Sequence, residues 1–228
     1  MTMQLEKVVP FGRSYAEYVK IFNLSPIDLN KKILSVADGP ASFNAEGTKL
    51  GGKIVSIDPI YQFTAAEIFA QFNAVVDDII NQIIITPDDW VWSHHKSPED
   101  LKNNRITTIH KFLDDYDLGK KEGRYQIGEL PSLNFPDDRY DLTLCSHFLF
   151  LYSDFFDYQF HLQSIKEMLR VSQEVRIFPL LTLMLERSPY LDNLIEEMRN
   201  LGHIVSLETV EYELQKGANQ MLVMKKLR

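Results

Sequence analysis

The chain reads as one α/β domain, an open sheet wrapped by helices on both faces. Three observations point there. Strand-like and helix-like segments alternate from residue 32 onward. Residues 32–60, KILSVADGPASFNAEGTKLGGKIVSIDPI, contain a complete strand–turn–helix–strand unit. The 228 residues suit one elaborated domain and allow a sizeable core.

The organising unit comes first. Residues 33–37 are a short apolar run with β-branched side chains, and Asp38-Gly39-Pro40 is a strong turn signal. Residues 42–50 fit a helix, and Gly51-Gly52 follows where helices favour glycine. Residues 53–57 form the next strand, with Asp58 and Pro59 at its carboxyl end. Asp58 lies about 20 residues after Gly39, the spacing at which an acid hydrogen-bonds ribose hydroxyls in a nucleotide-binding βαβ unit. A nucleoside-containing cofactor is therefore expected here. A dinucleotide needs several glycines so that its pyrophosphate can approach a helix N-terminus. This loop has Gly39 followed by Pro40, Ala41, Ser42 and Phe43. S-adenosylmethionine (SAM), with adenosine and an amino acid but no phosphate, fits it better.

SVADGPASF resembles the first motif of class I SAM-dependent methyltransferases, roughly acidic-x-Gly-x-Gly-x-Gly. Aligned on Gly39-Pro40, Ser35 stands where that family has an acid, Ala37 and Ala41 stand where it has glycines, and Asp38 supplies an acid three positions late. Leu130-Pro131-Ser132-Leu133-Asn134-Phe135 resembles the family's acidic-x-x-x-Leu-Pro-Phe segment. The resemblance then implies that Glu129 and Leu130 lie beside adenine. Residues 140–147, YDLTLCSH, resemble the fourth motif, an apolar strand ending in a polar tip at the ligand. The resemblance spans roughly residues 31–228 apart from an insertion, and GPASF and LCSHFLFLY look like a bacterial subgroup of unknown substrate. It implies a Rossmann-like seven-stranded sheet with helices on both faces and the last strand antiparallel. The implied cofactor is SAM, bound by Asp38, Gly39, Pro40, Asp58, Pro59, Glu129, Leu130 and Ser146.

Methyl transfer requires alignment and desolvation more than a reactive side chain. His147, leaving the carboxyl end of the fourth strand, is the expected catalytic residue, as a base near neutral pH where the nucleophile starts protonated. Asp38 and Tyr15 are weaker candidates. Two other readings stand beside this one. Ser35, Ala37 and Ala41 motivate a methyltransferase-like, non-catalytic interaction scaffold. A nicotinamide-dependent oxidoreductase is disfavoured by the glycine-poor loop.

The remaining elements follow in order. Residues 1–30 form an N-terminal helical segment. Ser14 and Glu17 make a capping box for a helix over 14–22, and Tyr15, Tyr18, Val19 and Phe22 form its apolar stripe. The stripe is core; its alternative is a flap over the ligand built on Arg13 and Tyr15. Residues 64–123 read as an inserted cap of about three helices, opened by Thr64, Thr86-Pro87 and Ser97-Pro98. The cap carries Trp90, Trp92, His94, His95 and Tyr116. Adjacent histidines do not share a helix face, so no metal site is expected at His94-His95. Further strands fall at 123–129, 140–147, 174–179, 203–207 and 221–224. Helices begin at Asp154 or Asp157 and at Ser188.

Composition bounds the partners. Hydrophobic residues make up 45% and charged residues 25%, as in soluble globular proteins. The net charge of -8 and pI near 5.3 disfavour nucleic acid and leave a small-molecule acceptor. Lys225-Lys226-Leu227-Arg228 is a solvated strand end. Cys145 is the single cysteine, which excludes an intrachain disulfide and fits a reducing cytoplasm. Glu6 and Arg13 interrupt any leader-like run, and no apolar stretch approaches the roughly 20 residues of a membrane span. The oligomeric state is open.

Overall fold

The computed structural model describes residues 8–227. Residues 1–7 of the expected N-terminal segment, Glu6 among them, and Arg228 lie outside the described residues. The elements run α1 (Tyr15–Ile21), α2 (Pro26–Leu29), β1 (Lys32–Val36), α3 (Phe43–Lys49), β2 (Lys53–Ile57), α4 (Ala65–Ile85), α5 (Pro98–Lys121) and β3 (Tyr125–Gln126). They continue with β4 (Tyr140–Ser146), α6 (Tyr158–Val171), β5 (Ser172–Phe178), α7 (Leu191–Asn200), β6 (Ile204–Thr209) and β7 (Gln220–Lys225). The seven strands form one sheet in the order β3-β2-β1-β4-β5-β7-β6. β7 runs antiparallel to both β5 and β6, and the other pairings are parallel. The fold is Rossmann-like, with helices on both faces and the last strand reversed.

The period-two pattern of the strands builds both cores. Ile33, Ile54, Leu142 and Leu144 enter the core shared with α1, α3, α4 and α5. Leu34, Val36, Ile57, Cys145 and Ile177 enter the core shared with α6 and α7. The helix starts follow the local chemistry. Ser14, Ser25 and Thr64 each form a capping box, Ser97 caps a helix with Pro98 in its first turn, and Asp157 rather than Asp154 caps α6.

Three expectations are corrected. The third strand is only Tyr125–Gln126 at the sheet edge, because the chain leaves the sheet at Ile127. Thr86-Pro87 opens a 3-10 turn of three residues, Pro87–Asp89, so the segment 64–123 holds two long helices and this turn. α5 packs on α3 and beside β3 as an ordinary crossover helix, and α4 packs on α5 as the addition. Finally, α4 has 21 residues with mean hydropathy 1.3 in its most apolar window, long and apolar enough by length and composition to cross a membrane. Asp77 and Asp78 break the run to the eye without lowering the window average much. Its stripe of Ile68, Phe72, Val76, Ile79, Ile80 and Ile83 lies in the protein core.

Candidate functional site: three joined cavities at the carboxyl ends of the strands

The turn after β1 places the first candidate side chain. Ala37 and Gly39 both have left-handed backbone, with φ of 52° and 53°. Gly39 takes this at no steric cost, whereas Ala37 carries a strain of about 1 kcal/mol. The turn sends the Asp38 carboxylate back between the strands. There it accepts from Ser35 Oγ at 2.6 Å, from Ser56 Oγ at 2.5 Å and from the Tyr18 hydroxyl. Ser35 and Ser56 face each other across β1 and β2. Burial raises the Asp38 pKa, against the pull of the three hydroxyls. That carboxylate is 4% exposed, with its hydrogen bonds directed into the fold.

Asp58 closes the same turn from β2. Its two oxygens accept from the amides of Gly39 at 2.9 Å and Ile60 at 2.8 Å. Burial pushes its pKa up to about 6, opposed by those two amides and reinforced by Asp38. The Gly39 carbonyl in turn accepts from the Tyr61 hydroxyl at 2.7 Å. A Cβ at Gly39 would project into open space, so the glycine leaves a free surface beside the clasp.

Three cavities run from this clasp along the strand ends. The outer cavity, about 190 Å³, is lined by Asp58, Pro59, Glu129, Leu130, Phe156 and Phe160 among others. Phe156 and Phe160 stack there at 4.2 Å. The middle cavity, about 40 Å³, is lined by Asp38, Gly39, Pro40, Ser146 and His147, with Asp58 and Phe148 shared with the outer one. The inner cavity, about 60 Å³, shares Val9, Phe11, Arg13 and His147 with the middle one. All nine residues expected at the site thus lie on the outer and middle cavities. Glu129 is exposed at its edge.

A strap formed by residues 8–13 contributes walls to all three cavities. Gly12 allows it to lie on the β1–α3 loop, since a Cβ there would fall 2.3 Å from the Pro40 carbonyl oxygen. The Arg13 carbonyl accepts from the Ser42 amide at 3.1 Å. Tyr15 is not part of the closure, because its ring stacks on Phe43 at 5.7 Å. The flap alternative therefore holds for Arg13 and not for Tyr15. Only Arg13 of the strap carried a sequence signal. Val8, Val9 and Phe11 are apolar residues outside any periodic element, which is why sequence reasoning missed them.

His147 and Arg13 meet at the junction of the inner and middle cavities. His147 has φ of 51°, donates its amide to Phe178 O at 2.6 Å and shares a hydrogen bond between Nδ1 and Ser146 Oγ at 2.9 Å. Burial, together with the positive charges of Arg13 and Arg105, holds its imidazole pKa well below the ordinary value. That weighs against a role as general base near neutral pH. Arg13 donates from Nη1 to Phe11 O at 2.5 Å, and its buried Nε has no hydrogen-bond partner. Burial and the nearby Arg105 lower its pKa to about 10.

Behind the strap lies a second charged group. Both oxygens of the fully buried Glu17 accept from Arg105, at 2.7 Å each. Glu17 also meets His95 Nε2 at 3.1 Å and the Tyr212 hydroxyl at 2.9 Å. Burial opposes its ionisation, yet Arg105 and His95 hold its pKa well below the usual range. Glu17, His94 and His95 bring possible metal ligands within 4.8 Å of one another. The Arg105 guanidinium on both carboxylate oxygens places a positive charge where a cation would sit.

No known family model matches the sequence. Among solved structures, the magnesium protoporphyrin IX methyltransferase of Synechocystis is 8% identical, with 87% of this chain and 71% of that one covered and a TM-score of 0.45. A SAM-dependent methyltransferase from Aquifex aeolicus is 13% identical over 92% of this chain and 93% of that one, with a TM-score of 0.46. The PH0226 protein of Pyrococcus horikoshii is 12% identical over 93% and 91%, with a TM-score of 0.47. The uncharacterized protein MJ0045 of Methanocaldococcus jannaschii is 36% identical over 225 residues, 98% of this chain and 99% of its own. That relative is archaeal and gives no support to a bacterial subgroup. The chain belongs to the same family as protein MJ0045.

Proposed function

We propose that this protein is a SAM-dependent methyltransferase acting in the cytoplasm on a small-molecule acceptor. The observation that carries the reading is the clasp between Gly39 and Asp58, opening onto the outer cavity. Asp58 stands where ribose hydroxyls can donate to it, and Glu129, Leu130 and the Phe156–Phe160 stack bound a roomy slot for a flat base. Gly39, Pro40 and Ser146 border the narrower space for the amino-acid end. Ala41, Ser42 and Phe43 at the start of α3 are fully buried, and the Ser42 amide is taken by the strap. A pyrophosphate would find no helix amides there, which weighs against a nicotinamide cofactor.

Bound in this site, SAM supplies an electrophilic methyl: an acceptor lone pair forms the new bond to carbon as the carbon–sulfur bond breaks and its electron pair returns to sulfur. The chain's own part is to hold both reactants and exclude water. Phe11, Phe148 and the strap seal the junction, and His147 orients through its uncharged ring.

The test is a thermal-melt and calorimetric titration with SAM, S-adenosylhomocysteine and NAD on the wild type and on Asp58→Ala. A ligand at about 100-fold over its dissociation constant adds roughly 2.7 kcal/mol to stability. Binding of SAM or its product, lost in Asp58→Ala, is the expected result. If neither binds at millimolar concentration, the enzymatic reading fails and the interaction scaffold takes its place.

A further inference from the structure

The inner cavity has a charge problem that the fold does not solve. Its wall is mainly apolar: Ile79 and Ile83 from α4, Trp90, Leu183 and Leu214 face it. No aspartate or glutamate lines it among the described residues. Arg13 nevertheless sits at its mouth with Nε buried and unpartnered. Glu17, whose charge acts on Arg13, has both oxygens engaged by Arg105, and Asp38 and Asp58 on the middle cavity are held by hydroxyls and backbone amides. A buried guanidinium without an acid is costly, and a ligand anion is the natural complement. The edge that carries Nε is one of those that a carboxylate can grip with two parallel bonds.

The polar groups at the junction also bear on the nucleophile. His147 is bonded to Ser146 and flanked by two guanidiniums, a poor setting for taking up a proton. Cys145 is fully buried, and burial pushes its thiol up to about 12. A nucleophile that arrives already deprotonated suits such a site.

We infer that the inner cavity, about 60 Å³, receives a short aliphatic carboxylate whose charged group is held by Arg13 at the junction with the middle cavity. As the methyl acceptor, which rests on the proposed function, one carboxylate oxygen stays on Arg13 while the other takes the methyl. The product is a methyl ester, and no proton moves. The apolar wall admits the hydrocarbon body and rejects a second charge.

The experiment titrates the full chain, with and without S-adenosylhomocysteine, with acetate, propionate and butyrate and with their neutral amides. The expected result is that an acid binds roughly tenfold or more tightly than its amide, about 1.4 kcal/mol. Arg13→Gln removes that difference. Leu183→Trp, which fills the wall away from Arg13, abolishes acid binding while S-adenosylhomocysteine still binds, and that retained binding shows the variant is folded. Incubation with methyl-labelled SAM then yields label released as methanol by mild alkali. The inference is overturned if no acid binds at millimolar concentration, if the amides bind as well as the acids, or if Arg13→Gln leaves acid binding unchanged. It is also overturned if Arg13→Gln weakens S-adenosylhomocysteine but not methylthioadenosine, which lacks the amino-acid carboxylate, because Arg13 then serves the cofactor. Acid binding that depends on Arg13 in a protein that ignores S-adenosylhomocysteine supports the anion subsite and removes the methyl-transfer reading instead.

Discussion

Arg105 and Arg13 lie against the same ring, with their guanidinium carbons 5.0 Å and 5.5 Å from the centre of Phe11. Their surroundings differ in one respect that decides their roles. Arg105 grips both oxygens of Glu17, and although burial opposes its charge, that carboxylate raises its pKa. Both leave a buried Nε without a partner, but Arg13 bonds a backbone carbonyl where Arg105 bonds a carboxylate, and burial lowers the Arg13 pKa. The first is a closed account of charge that ties α1, α5, His95 and Tyr212 together. The second is open toward a cavity. The lesson is that a buried cation paired with a carboxylate holds the fold, whereas one without an acid partner is available to a ligand.

The largest expected effect breaks the closed side. Arg105→Met leaves Glu17 buried without its strong partner, and losses of about 3–5 kcal/mol follow for such pairs. The double variant Glu17→Gln/Arg105→Met should recover much of that loss. Arg13→Met, by contrast, should change stability by less than about 1 kcal/mol, since it removes a desolvated charge with no salt-bridge partner. Denaturant melts of the variants measure this. Equal losses at the two arginines would erase the distinction.

The next effect sharpens the acidic side of the site. Asp58 has its folded pKa raised to about 6, chiefly by burial. Its neutral form is favoured by folding, so its contribution to stability is full below the unfolded pKa near 3.8 and is lost as pH rises through about 6. Ligand binding runs the other way, because ribose hydroxyls donate to the ionised carboxylate. The affinity for S-adenosylhomocysteine should therefore fall up to about tenfold per pH unit below 6. Calorimetry across that range, with a flat profile for Asp58→Ala, checks it.

The smallest effect concerns the strained turn. Ala37→Gly relieves the left-handed alanine and should stabilise the protein by up to about 1 kcal/mol, after the larger entropy of the unfolded glycine chain is counted. A lower melting temperature in this variant would show that the Ala37 methyl packs better than its backbone is strained.

Local chemistry made much of the architecture legible. The capping boxes at Ser14, Ser25 and Thr64 depend on neighbours three residues apart, and the alternation in β1 and β2 depends on neighbours two apart. Such signals survive in one dimension. The strand at 123–129 was overread because its sheet-edge position, with one paired neighbour for two residues, is a property of the sheet and not of the segment. The turn at Thr86-Pro87 has the grammar of a helix start, but Val91 instead bonds to Leu214 O and Trp90 bridges to Gln215, so the chain stays extended.

The sequence by itself determined the α/β alternation, the β1–α3–β2 unit and the identity of nine residues that line one side of the sheet's carboxyl edge. The alternation and the unit follow from short-range periodicity and from the spacing of Gly39 and Asp58, and the residue set is what the resemblance of three short segments to one family implied. Only the tertiary structure decided what each side chain does there. Asp38 turns inward because Ser35, Ser56 and Tyr18 converge on it from three elements. The His147 imidazole has its pKa held well below the ordinary value by burial and by the charges of Arg13 and Arg105. Arg105 has a carboxylate partner, and Arg13 does not, because Glu17 lies 88 positions before Arg105 in the chain and 2.7 Å from it in space. Charge compensation in a low-dielectric interior depends on distances of a few ångströms, and those are set only when the chain is packed.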